Sequence, residues 1–208
     1  MQYKVCGITQ AEQAITLDSM GVDYIGFIFY PLSKRYVLNS LSIDDLAKLK
    51  PTHAKKVGVF VNETAVKVLG IVEKAKLDLV QLHGEEDVEY CKSIEKVVPV
   101  IKVFRVGNVV PDFTVFEQAA SYYLFDTDSA LYGGTGQHFN WEIIKNTAIQ
   151  KPYFLSGGIG PHDVQGIEVM QKTKAGKDLM AIDINSQFET TPGIKNLEMI
   201  KTFIDVHI

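Results

Sequence analysis

Short apolar runs rich in β-branched and aromatic residues recur along the chain, and each is followed by a polar loop. They cover residues 4–7, 24–29, 55–61, 79–82, 98–103, 122–126, 153–156 and 180–183. Within each run the apolar residues are continuous rather than alternating, which is typical of strands buried on both faces of a parallel sheet. The pattern therefore predicts repeated units of a strand followed by a helix.

Helical spacing appears between these runs and is clearest over residues 65–75, where apolar side chains recur at i, i+3, i+4, i+7 and i+10. Such spacing predicts a helix with one buried face. Residues 197–204 repeat it in the last segment. Thr9 and Thr64 stand where helix N-caps are expected, and Glu12 would complete a capping box with Thr9.

The spacing of the predicted strands indicates the fold class. Their ends lie about 25 residues apart on average, and no linker separates the units. We therefore expect an α/β protein that forms one (β/α)8 barrel domain over residues 1–208, shorter than the ~250 residues typical of this fold. An open doubly wound sheet has the same alternation, but eight strands favour closure.

The composition argues against nucleic-acid binding and against insertion into a membrane. The chain has 208 residues, 46% hydrophobic and 22% charged, with a formal net charge of -4. The chain lacks the excess of lysine and arginine that a protein binding nucleic acid through its phosphates usually has. The longest nearly apolar run, residues 24–30, is far below the ~18 residues that a bilayer crossing needs. No signal peptide is evident, and two cysteines are too few for a disulfide scaffold. We expect a soluble cytoplasmic protein that binds neither nucleic acid nor membrane.

Glycine clusters follow the sixth and seventh predicted strands, at residues 133–136 and 157–160. The active site of a closed barrel lies at the carboxyl ends of the strands. Glycine lets backbone N–H groups converge on an anion, and the last loops of many barrels hold a phosphate. A single cluster could be a simple tight turn, but two on neighbouring units favour a phosphate site.

Two strand ends carry groups suited to proton transfer. Cys6 shares its side-chain parity with Lys4, and a nearby cation lowers the pKa of a thiol. A thiolate there could act as a nucleophile or a general base. Asp126 emerges from an apolar strand, which suits a proton donor, although it could instead cap the following loop. Asp128 has the same parity and remains an alternative to Asp126.

The other polar residue types point to anion recognition rather than metal binding. The chain has only two arginines, Arg35 and Arg105, each just past a predicted strand. The planar guanidinium suits a carboxylate or a phosphate, and Arg35 has the stronger claim because it lies in a polar loop. The five histidines lack metal-like spacing, so we expect no metal site.

These features together resemble the phosphoribosylanthranilate isomerase family over almost the whole chain. The segments that carry the resemblance are residues 4–9, 26–37, 57–62, 81–84, 133–136, 156–159 and 190–195. Their order and spacing make the match specific. The chain departs from the family at residues 185–189, Asn-Ser-Gln-Phe-Glu, where two serines and Gly-Val-Glu are usual.

The resemblance implies a cofactor-free Amadori rearrangement of N-(5-phosphoribosyl)anthranilate, a phosphorylated aminosugar, in tryptophan biosynthesis. It implies that Cys6 is the general base at C2 of the ribose and that Asp126 is the general acid at the ring oxygen. Arg35 would hold the anthranilate carboxylate, with His83 nearby and Asp183 close to the amino group or sugar hydroxyls. The phosphate would be held by Gly134, Gly136, Gly157, Gly158, Asn185 and Ser186.

Two rival functions are open at this stage. Another phosphosugar barrel enzyme, such as an epimerase or an indoleglycerol phosphate synthase, would share the glycine clusters. A synthase would need a glutamate at a strand end, and none of the predicted strands ends in one. A non-catalytic sugar-phosphate binder would have no use for both Cys6 and Asp126. The oligomeric state is not predicted.

Overall fold

The computed structural model describes residues 1–127 and 141–206. Eight parallel strands pair in chain order, and the last pairs with the first to close a barrel. The strands are β1 Gln2–Val5, β2 Tyr24–Ile28, β3 Lys55–Phe60, β4 Leu79–Leu82, β5 Val100–Val106, β6 Tyr122–Thr127, β7 Tyr153–Leu155 and β8 Leu179–Ile184. The predicted barrel is confirmed, and the open doubly wound alternative is wrong.

Short helices surround the barrel and explain how so small a chain completes it. The described helices are α1 Ala11–Ser19, α2 Ile43–Lys48, α3 Ala65–Ala75, α4 Val88–Glu95, α5 Glu142–Lys145, α6 Val164–Gln171 and α7 Leu197–Asp205. An antiparallel hairpin of β9 Glu189–Thr191 and β10 Ile194–Lys195 lies between β8 and α7. None of the helices in the described ranges is long and apolar enough to span a bilayer.

Apolar side chains from seven of the strands fill the barrel interior. This inner cluster consists of Tyr24, Val57, Leu79, Ile101, Val103, Leu124, Phe154 and Ala181. A larger cluster packs between the outer faces of the strands and the helices. Burial on both faces accounts for the continuous apolar runs in the sequence. Towards the carboxyl ends of the strands the inward positions become polar, and these positions form the site.

Of the two expected helix N-caps, Thr9 with its Glu12 capping box is wrong and the position of Thr64 is confirmed. Helix α1 begins at Ala11 with Gln10 at its N-cap, and no side chain caps it. The hydroxyl of Thr9 instead donates to the carbonyl oxygen of Gly193 at 2.8 Å, so a tertiary contact takes the group expected to cap the helix. Thr64 does occupy the N-cap position of α3, yet its side chain makes no capping hydrogen bond.

Candidate active site

A cavity at the carboxyl ends of the strands brings together most of the residues singled out in the sequence. It holds about 690 Å³ of space not filled by protein atoms, part of which is open to solvent. The predicted site residues that line it are Cys6, His83, Asp126, Gly158, Asp183, Asn185 and Ser186. Arg35 and Gly157 lie outside this lining, and Gly134 and Gly136 lie outside the described residues.

Cys6 follows β1 directly and is buried, with its backbone N–H donating to Ile184 of β8 at 3.0 Å. The thiol packs against Gly26 of β2, where an added Cβ would come within 2.8 Å of Sγ. A larger residue at position 26 would therefore displace the sulfur. Burial raises the pKa of the Cys6 thiol, and the ammonium of Lys4 opposes this shift without overcoming it. The expected lowering of the thiol pKa is wrong because desolvation outweighs the cation.

Lys4 and Asp183 form an ion pair inside the barrel. The ammonium lies 2.9 Å from both carboxylate oxygens, and the two side chains are 0% and 6% exposed. Strands β1 and β8 meet at the closure of the barrel, where Lys4 and Asp183 are register partners. Burial favours a neutral amine, but Asp183 and the neighbouring Cys6 raise the pKa of Lys4 above its ordinary value. The lysine is therefore a permanent positive charge beside the thiol.

Asp126 and His83 contact each other across the wall formed by β4, β5 and β6. The ring Nε2 of His83 lies 3.1 Å from Oδ2 of Asp126. The other carboxylate oxygen accepts a hydrogen bond from the backbone N–H of Thr127 at 2.8 Å. Both oxygens of Asp126 are thus held, and the carboxyl group has a fixed orientation at the edge of the cavity. Arg105 supports the same region by donating to the carbonyl oxygen of His83 at 2.8 Å.

Arg35 is held by Glu189 at the start of the β9–β10 hairpin. Its Nε lies 2.9 Å and its Nη2 2.6 Å from the carboxylate of Glu189. Lys195, which is buried, donates to the same carboxylate at 2.7 Å and to Oδ1 of Asn185 at 2.7 Å. Although burial favours the protonated acid, the two cations lower the pKa of Glu189. Within the described residues, Nη1 of Arg35 makes no hydrogen bond.

The loop after β7 adopts the backbone conformation that its glycines permit. Gly157 and Gly158 have φ angles of +91° and +70°, which residues with a side chain rarely adopt. The carboxylate of Asp163 accepts a hydrogen bond from the N–H of Gly160 at 2.6 Å. Helix α6 begins at Val164. The loop between β7 and α6 therefore forms the wall of the cavity beside the end of β8.

The chain is similar to one family of known proteins over nearly its whole length. A family model described as N-(5'phosphoribosyl)anthranilate (PRA) isomerase matches residues 3–206. The chain belongs to this isomerase family. A relative from Parabacteroides distasonis that bears the same name is 35% identical, with 98% of this chain and 92% of that protein covered. Another from Thermotoga petrophila is 37% identical, with coverages of 98% and 97%.

Solved structures of isomerases from the family superpose over nearly the whole chain. The phosphoribosyl anthranilate isomerase of Thermus thermophilus aligns with a TM-score of 0.83 at 27% identity, covering 99% of this chain and 98% of that one. A second isomerase was solved in complex with reduced 1-(o-carboxyphenylamino)-1-deoxyribulose 5-phosphate. It aligns with a TM-score of 0.77 at 33% identity, with coverages of 99% and 97%.

Several residues of this candidate site were not assigned a role from the sequence. Gln81, Ser156, Tyr30 and Ser33 also line the cavity. Gln81 had a usable signal, because it lies on β4 and shares its side-chain parity with His83, which directly follows that strand. The hairpin residues Glu189 and Lys195 had none, since only the fold brings them to Arg35. In the described part of the chain, no cluster of three or more His, Cys, Asp or Glu residues could hold a metal ion.

Proposed function

We propose that the chain catalyses the Amadori rearrangement of N-(5-phosphoribosyl)anthranilate to 1-(2-carboxyphenylamino)-1-deoxyribulose 5-phosphate. In this proposal Cys6 is the general base and Asp126 is the general acid. The observation that carries it is that a thiol from β1 and a carboxyl group from β6 line one cavity. These strands are separated by only β7 and β8 on the shorter way round the barrel, so the two groups approach a sugar from different sides.

The reaction requires proton transfer at two places on the pentose. Asp126 donates a proton to the ring oxygen, which opens the ring to the protonated imine. Cys6, as the thiolate, then removes the proton from C2, and the resulting enolamine tautomerises to the ketone. Lys4 stabilises the thiolate by its charge, and His83 donates to the carboxylate that Asp126 becomes. General acid and base groups contribute about 10²–10⁴-fold each.

The substrate's two anionic ends have separate partners in this proposal. The anthranilate carboxylate approaches the Nη1 edge of Arg35, which makes no hydrogen bond to a described residue, while Glu189 holds the other edge. The phosphate lies against the loop after β7 and the turn after β8, where Gly158, Asn185 and Ser186 line the cavity. The bulk of the substrate then lies between Cys6 and Asp126, with Asp183 close to the amino group.

The decisive experiment measures turnover of freshly prepared phosphoribosylanthranilate, followed by its fluorescence, in Cys6→Ser and Asp126→Asn. We expect kcat to fall about 10²–10⁴-fold in each variant, with little change in the melting temperature. Cys91→Ser is the matched control because Cys91 lies in helix α4, where its buried thiol contacts the carbonyl oxygen of Glu86 and does not line the cavity. Undiminished turnover in Asp126→Asn would remove Asp126 as the acid and leave Asp128 as the candidate.

A further inference from the structure

Three side chains form a continuous line along one wall of the cavity, and the proposed roles use only two of them. Nε2 of Gln81 lies 3.0 Å from Nδ1 of His83. Nε2 of His83 in turn lies 3.1 Å from Oδ2 of Asp126. Gln81 is 1% exposed and lines the cavity, yet it has no part in the acid–base steps. Its contact with the histidine ring suggests what it does.

The contact indicates where the ring proton lies. The amide nitrogen of Gln81 faces the ring and can only donate, so this orientation of the amide pairs with Nδ1 of His83 as the acceptor. In a neutral ring the proton is then on Nε2, from where it points to the carboxyl group of Asp126. Among the described residues, Oε1 of Gln81 has no hydrogen-bond partner. Rotating the amide would bury an unpartnered NH₂ group instead, which is rarer in proteins than an unpartnered carbonyl.

We propose that Gln81 is a positioning residue that holds His83 in the tautomer that donates to Asp126. This inference rests on the proposed function, in which Asp126 is the acid. If Nε2 carried no proton, protonated Asp126 would give its hydrogen to the imidazole rather than to the substrate. With Nε2 as the donor, the acid proton faces the cavity. The carboxylate left after the transfer is also stabilised by the same N–H.

The charges around His83 explain why the residue at position 81 has to be uncharged. Asp126 faces the ring from β6, and Asp183 interacts with it electrostatically from β8. Arg105 from β5 binds the carbonyl oxygen of His83 rather than the ring, and it is paired with Glu85. A carboxylate in place of the Gln81 amide would accept from Nδ1. The ring would then hold two protons and become an imidazolium.

The direct test is nitrogen NMR of the wild-type protein labelled with ¹⁵N-histidine. The His83 signals are identified as those missing from a His83→Asn spectrum. The two nitrogens of a neutral ring differ in shift according to which one carries the proton. We expect the Nε2–H tautomer in wild type, its loss in Gln81→Met, and an imidazolium in Gln81→Glu. A wild-type ring protonated on Nδ1 alone would overturn the proposal.

Kinetics supply the second readout. Gln81→Met keeps the shape of the side chain and lacks the donor, so we expect kcat to fall about tenfold while KM stays nearly unchanged. If Gln81→Glu does not fold, Gln81→Met and the wild-type spectrum decide the question. Retention of the Nε2–H tautomer in Gln81→Met, or unchanged kcat despite its loss, would refute a positioning role. If Asp126 is not the acid, the Asp126→Asn variant keeps full activity while the wild-type protein still shows the Nε2–H tautomer. That outcome is distinguishable from failure of the positioning role.

Discussion

Two buried lysine–carboxylate pairs can be compared in this barrel. Lys4 and Asp183 lie 2.9 Å apart, with side chains 0% and 6% exposed. Lys102 and Glu86 lie 3.0 Å apart, with side chains 5% and 3% exposed. Each lysine extends from a strand. By distance and burial alone the two pairs are equivalent.

Their surroundings differ. Lys4 points into the barrel beside Cys6, and Asp183 lines the cavity. Lys102 points to the outer face, because its neighbours Ile101 and Val103 on β5 belong to the inner cluster. There it donates to the carbonyl oxygen of Gly84 at 2.9 Å. Glu86 accepts from the backbone N–H groups of Asn62 and Gly84 at 2.8 Å and 3.0 Å.

The comparison shows that burial and pairing do not by themselves identify a functional group. The inner pair adjoins the thiol proposed as the general base, so its charge affects the proposed chemistry. The outer pair connects the loops after β3 and β4 through hydrogen bonds, so its charge affects the stability of the fold. The two roles differ because of the groups that each pair contacts and not because of how deeply the pair is buried.

The largest effect is expected for Lys4→Met. It leaves the carboxylate of Asp183 buried without its partner, which costs about 3–5 kcal/mol of unfolding free energy. It also removes the cation beside Cys6, so we expect kcat/KM to fall at least about 10²-fold. Chemical denaturation and the fluorescence assay measure the two quantities. As a control, Lys4→Met/Asp183→Leu should recover most of the stability and none of the activity; recovered activity would exclude a role for the pair in the chemistry.

A smaller functional effect is expected for Lys102→Met. Glu86 would again be left buried and charged, at a similar cost of about 3–5 kcal/mol. Turnover by the folded fraction should stay within about tenfold of wild type, since no cavity residue is altered. The assay is run at a temperature where denaturation curves show the variant to be folded. A loss of turnover equal to that of Lys4→Met would contradict the distinction between the pairs.

The smallest effect concerns the pH at which Cys6 ionises. Burial raises the pKa of the thiol, so in a Cys91→Ser background alkylation by a small reagent should reach half its maximal rate above the ~8.5 of an ordinary cysteine. Because the folded state then keeps its proton longer than the unfolded state, stability should also decline as pH rises through that interval. Cys6→Ala should lack this decline. A folded-state midpoint below 8.5 would show that Lys4 dominates over burial.

The fold followed from the sequence because its signal is repeated and local. Strand β4 begins and ends where the apolar run does, at Leu79 and Leu82. Other strands are displaced by a few residues, as β5 is, because apolar content alone does not define where pairing stops. The capping role expected of Thr9 failed for a different reason. Its partner, Gly193, lies at the other end of the sequence, and no local pattern reports that contact.

The sequence predicted individual residues of the site but not their contacts with one another. Strand-end residues such as Cys6 and Asp126 were predictable, because the fold places all strand ends at one rim. Their partners were not, since the ion pair of Lys4 with Asp183 exists only when β1 meets β8. The ion pair of Arg35 with Glu189 likewise depends on the β9–β10 hairpin, which lies outside the repeating strand–helix pattern. The direction of the Cys6 pKa shift needed the depth of burial, which parity does not give.

The pairing of β1 with β8 has a consequence for how the protein is made. Lys4 leaves the ribosome 179 residues ahead of Asp183. Until that later strand emerges, the lysine lacks the carboxylate that it pairs with in the folded protein. Burial of this charge and closure of the ring therefore depend on the same strand, β8.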